Sequence, residues 1–196
     1  LPVAIDIAIL PPAQVSERAI ALSAALPPAE SQGLLLGPDR LPHITLTQQF
    51  VPVDQLDVLL AQVDRVVRGH EPLPLRVTGG GKGNSSVWVS IAHSPTLVSL
   101  HERLLEATAS IEVEDGDVSA FLGDAAREPD VRWVREFRRE SSFVRFTPHI
   151  TLGHAEEPPD IEPMDFLATR IAVCHLGRFC TCRRVIRAWD LRADVE

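Results

Sequence analysis

Two stretches of this chain are identical, and each carries a histidine and a threonine: Pro-His-Ile-Thr-Leu at 42–46 and again at 148–152. On an extended strand successive side chains alternate faces. His43 therefore points the same way as Thr45, while Ile44 and Leu46 point into the core; His149 and Thr151 stand in the same relation to Ile150 and Leu152. A lone histidine of this kind reads as a satisfied polar residue. Two copies, one in each half of the chain, predict two imidazole–hydroxyl pairs that face each other across a groove if the halves pack about a pseudo-twofold axis. That arrangement suits hydrolysis of a phosphodiester, a cyclic one especially. The reaction needs a base to activate water and an acid to protonate the departing oxygen, and histidine serves both near neutral pH. The threonine hydroxyls can donate to the non-bridging phosphate oxygens. The scheme needs no metal or other cofactor, and the sequence shows no carboxylate cluster to hold one.

Three more residues are candidates for touching substrate. His154 ends the second motif strand. Phe50 and Phe146 flank the motifs and could each stack a nucleobase, worth about 1–3 kcal/mol; the alternative for both is burial in the core. The chain has no tyrosine, which narrows such a surface to Phe, Trp or Arg. His70, His93, His101 and His175 fall in loop, cap, helix and strand contexts and read as structural or exposed.

The elements that must position these groups follow from periodicity and breakers. Val3 to Leu10 is an apolar strand ended by Pro11-Pro12, and Gln14 to Leu26 carries a helical stripe stopped by Pro27-Pro28. A loop over 33–41 delivers the strand His43 to Phe50. Asp54 is placed to cap a helix through Val67. Strands Leu73–Thr78 and Val87–Ala92 follow. The glycine-rich stretch 79–84 between them reads as a flexible hairpin link, because it lacks the phosphate-loop spacing and a strand comes next. Ser94 caps a helix, Glu112 to Asp130 reads as loop, and Val131 to Glu140 as a short helix. Phe146 to His154 is a strand, the proline-rich 156–163 a linker, and Arg170–Phe179 with Arg183–Leu191 a hairpin. Mixed strands and helices in each half predict an α+β fold of mainly antiparallel sheets: one domain of 196 residues with two lobes that are weak repeats of each other.

The paired His-x-Thr motifs, the opening strand and helix, and the closing hairpin ending in Trp-Asp-Leu (189–191) resemble the 2H phosphoesterase superfamily, which includes the RNA 2′,3′-cyclic phosphodiesterases, also called 2′-5′ RNA ligases. The resemblance implies a bilobed α+β fold with a central groove. It implies that His43 and His149 are acid and base and that Thr45 and Thr151 hold phosphate. It implies a nucleotide or RNA end bearing a cyclic phosphate as substrate. Cleavage or formation of a 2′-5′ linkage, and a silent nucleotide-binding module, are the alternatives. The chain departs from that pattern at His154, where an arginine is common, in a long segment between Glu112 and Arg145, and in the prolines after His154.

Composition bounds the partners. A net charge of −8 argues against an extended nucleic-acid duplex, whose affinity rests on phosphate neutralisation. Nearly all the positive charge is arginine, Lys82 being the only lysine. Arg132, Arg135, Arg138, Arg139 and Arg145 read as a solvated helix face, with a phosphate-facing rim as the sharper alternative. No apolar run of about 20 residues predicts a membrane span, and the first ten residues, which contain Asp6, read as a strand rather than a signal peptide. Cys174, Cys180 and Cys182 lack zinc-knuckle spacing and read as structural thiols in a reducing cytoplasm.

Overall fold

The computed structural model describes residues 1–123 and 125–192. Two four-stranded antiparallel sheets form the two lobes of an α+β fold. The first has the order β2 (Ile44–Pro52), β1 (Pro2–Ile9), β7 (Arg170–Gly177), β8 (Thr181–Asp190). The second has the order β5 (His149–His154), β4 (Ser86–Ile91), β3 (Leu73–Lys82), β6 (Met164–Ala168). The lobes do not coincide with the halves of the chain. The C-terminal hairpin β7–β8 returns to pair with β1, and the second sheet is built from the middle of the sequence.

The pseudo-symmetry lies in the connections. Strand β1 runs through helix α1 (Ala13–Ala25) to motif strand β2, and β4 runs through α3 (Pro95–Thr108) to motif strand β5, with a second helix, α4 (Glu128–Glu140), intervening before β5. Each of these helices crosses over: α1 packs against β5, and α3 against β2. Helix α2 (Leu56–Val67) lies beside α3 on the first sheet. Strand β1 shows how the sequence supports this. Ile5, Ile7 and Ile9 enter the main core under the helices, while the small residues Ala4 and Ala8, with Asp6 between them, line the opposite face. On that side α4 (Glu128–Glu140) packs through Val131 and Val134.

Several boundaries differ from expectation. Gly79 to Gly81 are part of β3, and the turn is confined to 83–85. A Cβ on Gly81 would overlap Nε1 of Trp88, so the missing side chain is what lets the indole lie flat across the strand. The proline-rich 156–163 is a linker as expected, and strand β6 follows it in a stretch for which no element was expected. The N-cap of α2 is Gln55 rather than Asp54, which sits in a preceding 3-10 turn. The 112–127 stretch holds one 3-10 turn, Val118–Ala120, apart from Asp124, which lies outside the described residues. The arginines of α4 and of the 3-10 turn after it face acidic neighbours or staple that stretch: Arg139 and Arg145 pair with Glu140, Arg138 with Glu112, and Arg135 donates to the Glu114 and Gly116 carbonyls. No described helix is long and apolar enough to cross a membrane.

Candidate active site

Both motif strands stand at the edge of their sheets and lie side by side, so the two pentapeptides meet. Each is interrupted at the same place. Ile7 pairs with Thr47 and Ala8 with Thr45, leaving Leu46 without a partner; Val87 pairs with Gly153 and Trp88 with Thr151, leaving Leu152 without one. These are β-bulges, which add one residue and re-aim the side chains beyond it. The bulges bring Gln48 onto the face of His43 and Thr45, and His154 onto the face of His149 and Thr151. Gly153 adopts φ +156°, a conformation that disfavours any side chain.

A bulged carbonyl at a buried edge needs a donor from elsewhere. The crossed helices supply it. Ser23 of α1 donates to the Leu152 carbonyl at 2.6 Å, and Nδ1 of His101 on α3 donates to the Leu46 carbonyl at 2.5 Å. His101 is wholly buried, accepts the Phe143 N–H at Nε2, and is held neutral because burial pushes its pKa down. It is the pin of the first motif rather than a reacting group.

The two catalytic candidates share one geometry. Nδ1 of His43 lies 2.7 Å from the Leu41 carbonyl, and Nδ1 of His149 lies 2.7 Å from the Thr147 carbonyl. A carbonyl only accepts, so Nδ1 carries the hydrogen in each ring and Nε2 is left to work. The surroundings differ. His149 is half-buried beside the Trp88 indole, with ring centroids 4.9 Å apart. Its pKa is pushed down, first by burial and further by the charge of His43, which disfavours a second imidazolium nearby.

His43 instead faces Asp6, which the motifs alone do not reveal. Nε2 of His43 is 3.6 Å from Oδ2 of Asp6, and that oxygen accepts from Thr45 Oγ1 and Gln48 Nε2, both at 2.7 Å. Asp6 is fully buried, and its Oδ1 has no partner among the described residues. Burial pushes the carboxyl pKa up, against the pull of His43 and of the Gln48 and Thr45 hydrogen bonds. A charged residue in the middle of an apolar strand was the signal available in the sequence.

This predicts a measurable trade. A folded-state pKa raised above its unfolded value means the ionised carboxylate burdens the fold at neutral pH, and the burden vanishes only as pH falls below 3.8, where the carboxyl becomes neutral in both states. Asp6→Asn is therefore expected to stabilise the protein by about 1–3 kcal/mol at pH 7.5 and much less at pH 4. Denaturant unfolding at the two pH values measures it; destabilisation at both would count against this account of Asp6.

The remaining candidates sort clearly. His154 faces the groove side, with Nδ1 3.2 Å from Ser85 Oγ and its ring 5.4 Å from Phe179. Burial, then the nearby charge of Arg178, pushes its pKa down. Phe50 and Phe146 are not stacking surfaces. Phe50 is 1% exposed and packs edge-on against Phe121, under Gly116; Phe146 is 5% exposed and stacks on His101. The long 112–127 segment and α4 cover the first, and α3 covers the second. Trp88 and Phe179 are the half-buried aromatics beside the candidate histidines. His93 and His175 bond to the Phe146 and Ala120 carbonyls, and the half-buried His70 to the Glu71 carbonyl. A cavity of about 440 Å³ is lined by Leu10, Pro12, Ser16, Pro42 and Arg170 and by none of these groove side chains. Among the described residues one donor set could hold a metal ion, Asp6, His43 and Cys182, whose ligand atoms lie within 4.8 Å of one another.

With this geometry in hand, the chain can be compared with known proteins. A model of the 2′-5′ RNA ligase superfamily matches residues 11–173, a span that contains both motifs. The fold is similar to that of E. coli LigT complexed with 3′-AMP, with 21% identity, coverage of 98% of this chain and 99% of LigT, and a TM-score of 0.65. TT0787 of Thermus thermophilus is similar at 18% identity, 98% and 100% coverage and a TM-score of 0.62. A structure described only as a phosphoesterase matches at 21% identity, 96% and 98% coverage and a TM-score of 0.63. No curated protein sequence matches the chain.

Proposed function

Since this chain belongs to the 2′-5′ RNA ligase superfamily, we propose that it is a metal-independent phosphodiesterase that opens a 2′,3′-cyclic phosphate on a nucleotide or RNA end by two-histidine acid/base catalysis. The observation that carries the reading is the duplicated imidazole: two rings on adjoining edge strands, each with Nδ1 tied 2.7 Å from the carbonyl two residues back and Nε2 left to work. Similarity to LigT, which has been solved with 3′-AMP, ATP, NADP+ and phosphate, supports a nucleotide as the ligand.

The roles follow from the surroundings. A base must be neutral, and His149 is the ring whose burial and neighbouring charge favour that form. His43, facing a carboxylate oxygen, brings the proton. Water gives its proton to His149 as its oxygen bonds to phosphorus. The cyclic ester bond breaks, and the departing ribose oxygen takes the proton from His43. The product is a phosphomonoester beside a free hydroxyl, and solvent resets the two rings. Thr151 donates to a non-bridging oxygen, and His154 with Trp88 flanks the nucleoside. The whole chain acts as one unit, and its buried free thiols suit a reducing cytoplasm.

Turnover of 2′,3′-cyclic nucleotides is expected to persist with EDTA present, because acid, base and phosphate donor are all side chains. Parallel incubation with 2′-5′ oligonucleotides separates hydrolysis of a cyclic ester from action on that linkage. Loss of activity in EDTA with rescue by added zinc or magnesium would overturn the metal-free mechanism.

A further inference from the structure

Three donors of different chemistry converge beside His43, and the acid/base reading uses only one of them. We propose that Asp6, His43 and Cys182 form a binding site for zinc, and that its occupancy switches the enzyme off by taking the Nε2 lone pair of His43. The inhibitory half rests on the proposed acid/base chemistry; the binding half does not.

The donors lie within 4.8 Å of one another. Zinc bonds of about 2.0–2.3 Å in a tetrahedron need donors roughly 3.3–3.8 Å apart, so a shift of about an ångström at the widest separation completes the set. One backbone residue braces two of the ligands. The Leu41 carbonyl accepts from His43 Nδ1 at 2.7 Å, and the Leu41 N–H donates to the Cys182 carbonyl at 2.9 Å. A metal-ligating histidine characteristically has its other nitrogen tied in this way, which fixes the ring and leaves Nε2 for the metal.

Charge balance gives the site its purpose. Asp6 is wholly buried with one carboxylate oxygen unpartnered, and Cys182 is 0% exposed beside it. Cys182 is a free, buried thiol, which carries its proton when no metal is bound. Zinc binding forms the S–Zn bond and releases that proton to solvent. Carboxylate, thiolate, neutral imidazole and Zn²⁺ then sum to zero, which offsets the charge of the buried carboxylate. Mixed thiolate and imidazole donors select zinc over magnesium or calcium. The His43 side chain, 10% exposed, is the side from which an ion reaches Asp6, whose side chain is 0% exposed.

Cobalt(II) titration of the whole protein reads binding without reference to activity. One equivalent is expected to produce the near-ultraviolet thiolate-to-cobalt charge-transfer band, which zinc abolishes by displacement. The band is expected to be absent in Cys182→Ser, and Asp6→Asn is expected to need more cobalt to reach it. In the assay zinc inhibits and EDTA restores activity. Cys182→Ser keeps its zinc-free turnover and needs on the order of tenfold or more zinc for half-inhibition, since losing a ligand costs at least what losing its supporting partner does. No charge-transfer band in the unaltered protein, or a band that survives in Cys182→Ser, overturns the site. A band without inhibition overturns the inhibitory half alone. Activation by zinc overturns the metal-free catalytic reading and leaves the site standing.

Discussion

Replacing either His43 or His149 by alanine is expected to lower kcat/KM on 2′,3′-cyclic nucleotides by on the order of 10²–10⁴, the usual worth of one positioned acid or base. The fold should survive both changes. His149 is half-buried and gives up one hydrogen bond, to Thr147. His43→Ala leaves the Leu41 carbonyl and Asp6 without their neighbour, so its melting temperature falls further. Rates must therefore be compared per folded molecule, with circular dichroism as the check. Because the two rings serve one proton-transfer cycle, the double variant should lose less than the product of the single losses. Full multiplicativity would indicate that they act on separate steps.

The two threonines should not be equivalent, although their pentapeptides are identical. The Thr45 hydroxyl donates to Asp6 at 2.7 Å, so its one proton is already committed. Thr151 sits opposite Trp88 and has no carboxylate in the corresponding place. Thr151→Ala is accordingly expected to lower kcat by on the order of 10- to 100-fold, near the lower range for losing one preorganised donor to developing charge. Thr45→Ala should cost only a few-fold, felt through the loosened Asp6. Steady-state kinetics of the two variants on one substrate decide it, and equal losses in kcat would show that Thr45 turns its proton to the phosphate when substrate binds.

What could be read from the residues was what local pattern controls. The duplicated pentapeptide declared the motif strands, proline pairs ended the first strand and helix, and Ser94 capped α3 as its type suggests, accepting from the Leu97 N–H. What stayed hidden depends on contacts far apart in the chain. Asp6 meets Thr45 across 39 residues, and Ser23 meets Leu152 across 129. The bulges at Leu46 and Leu152 are set by register with a neighbouring strand, which no single strand announces. The glycines of β3 look like a turn until Trp88 is seen lying across them. Phe50 and Phe146 had the right type and the right neighbours in sequence, but α3, α4 and the 112–127 segment claim them for the core.

The division of labour between the rings is tested most directly by the pH dependence of kcat/KM for the unaltered protein and for His149→Ala. The unaltered enzyme should give a bell. Its acidic limb reports protonation of the base and should lie below 6.5, the ordinary histidine value, because burial and the charge of His43 push His149 down. In His149→Ala the residual rate should keep its fall at high pH and lose the acidic limb. An acidic limb that persists unchanged in His149→Ala, or near-normal turnover in that folded variant, would contradict the assignment of His149 as the base.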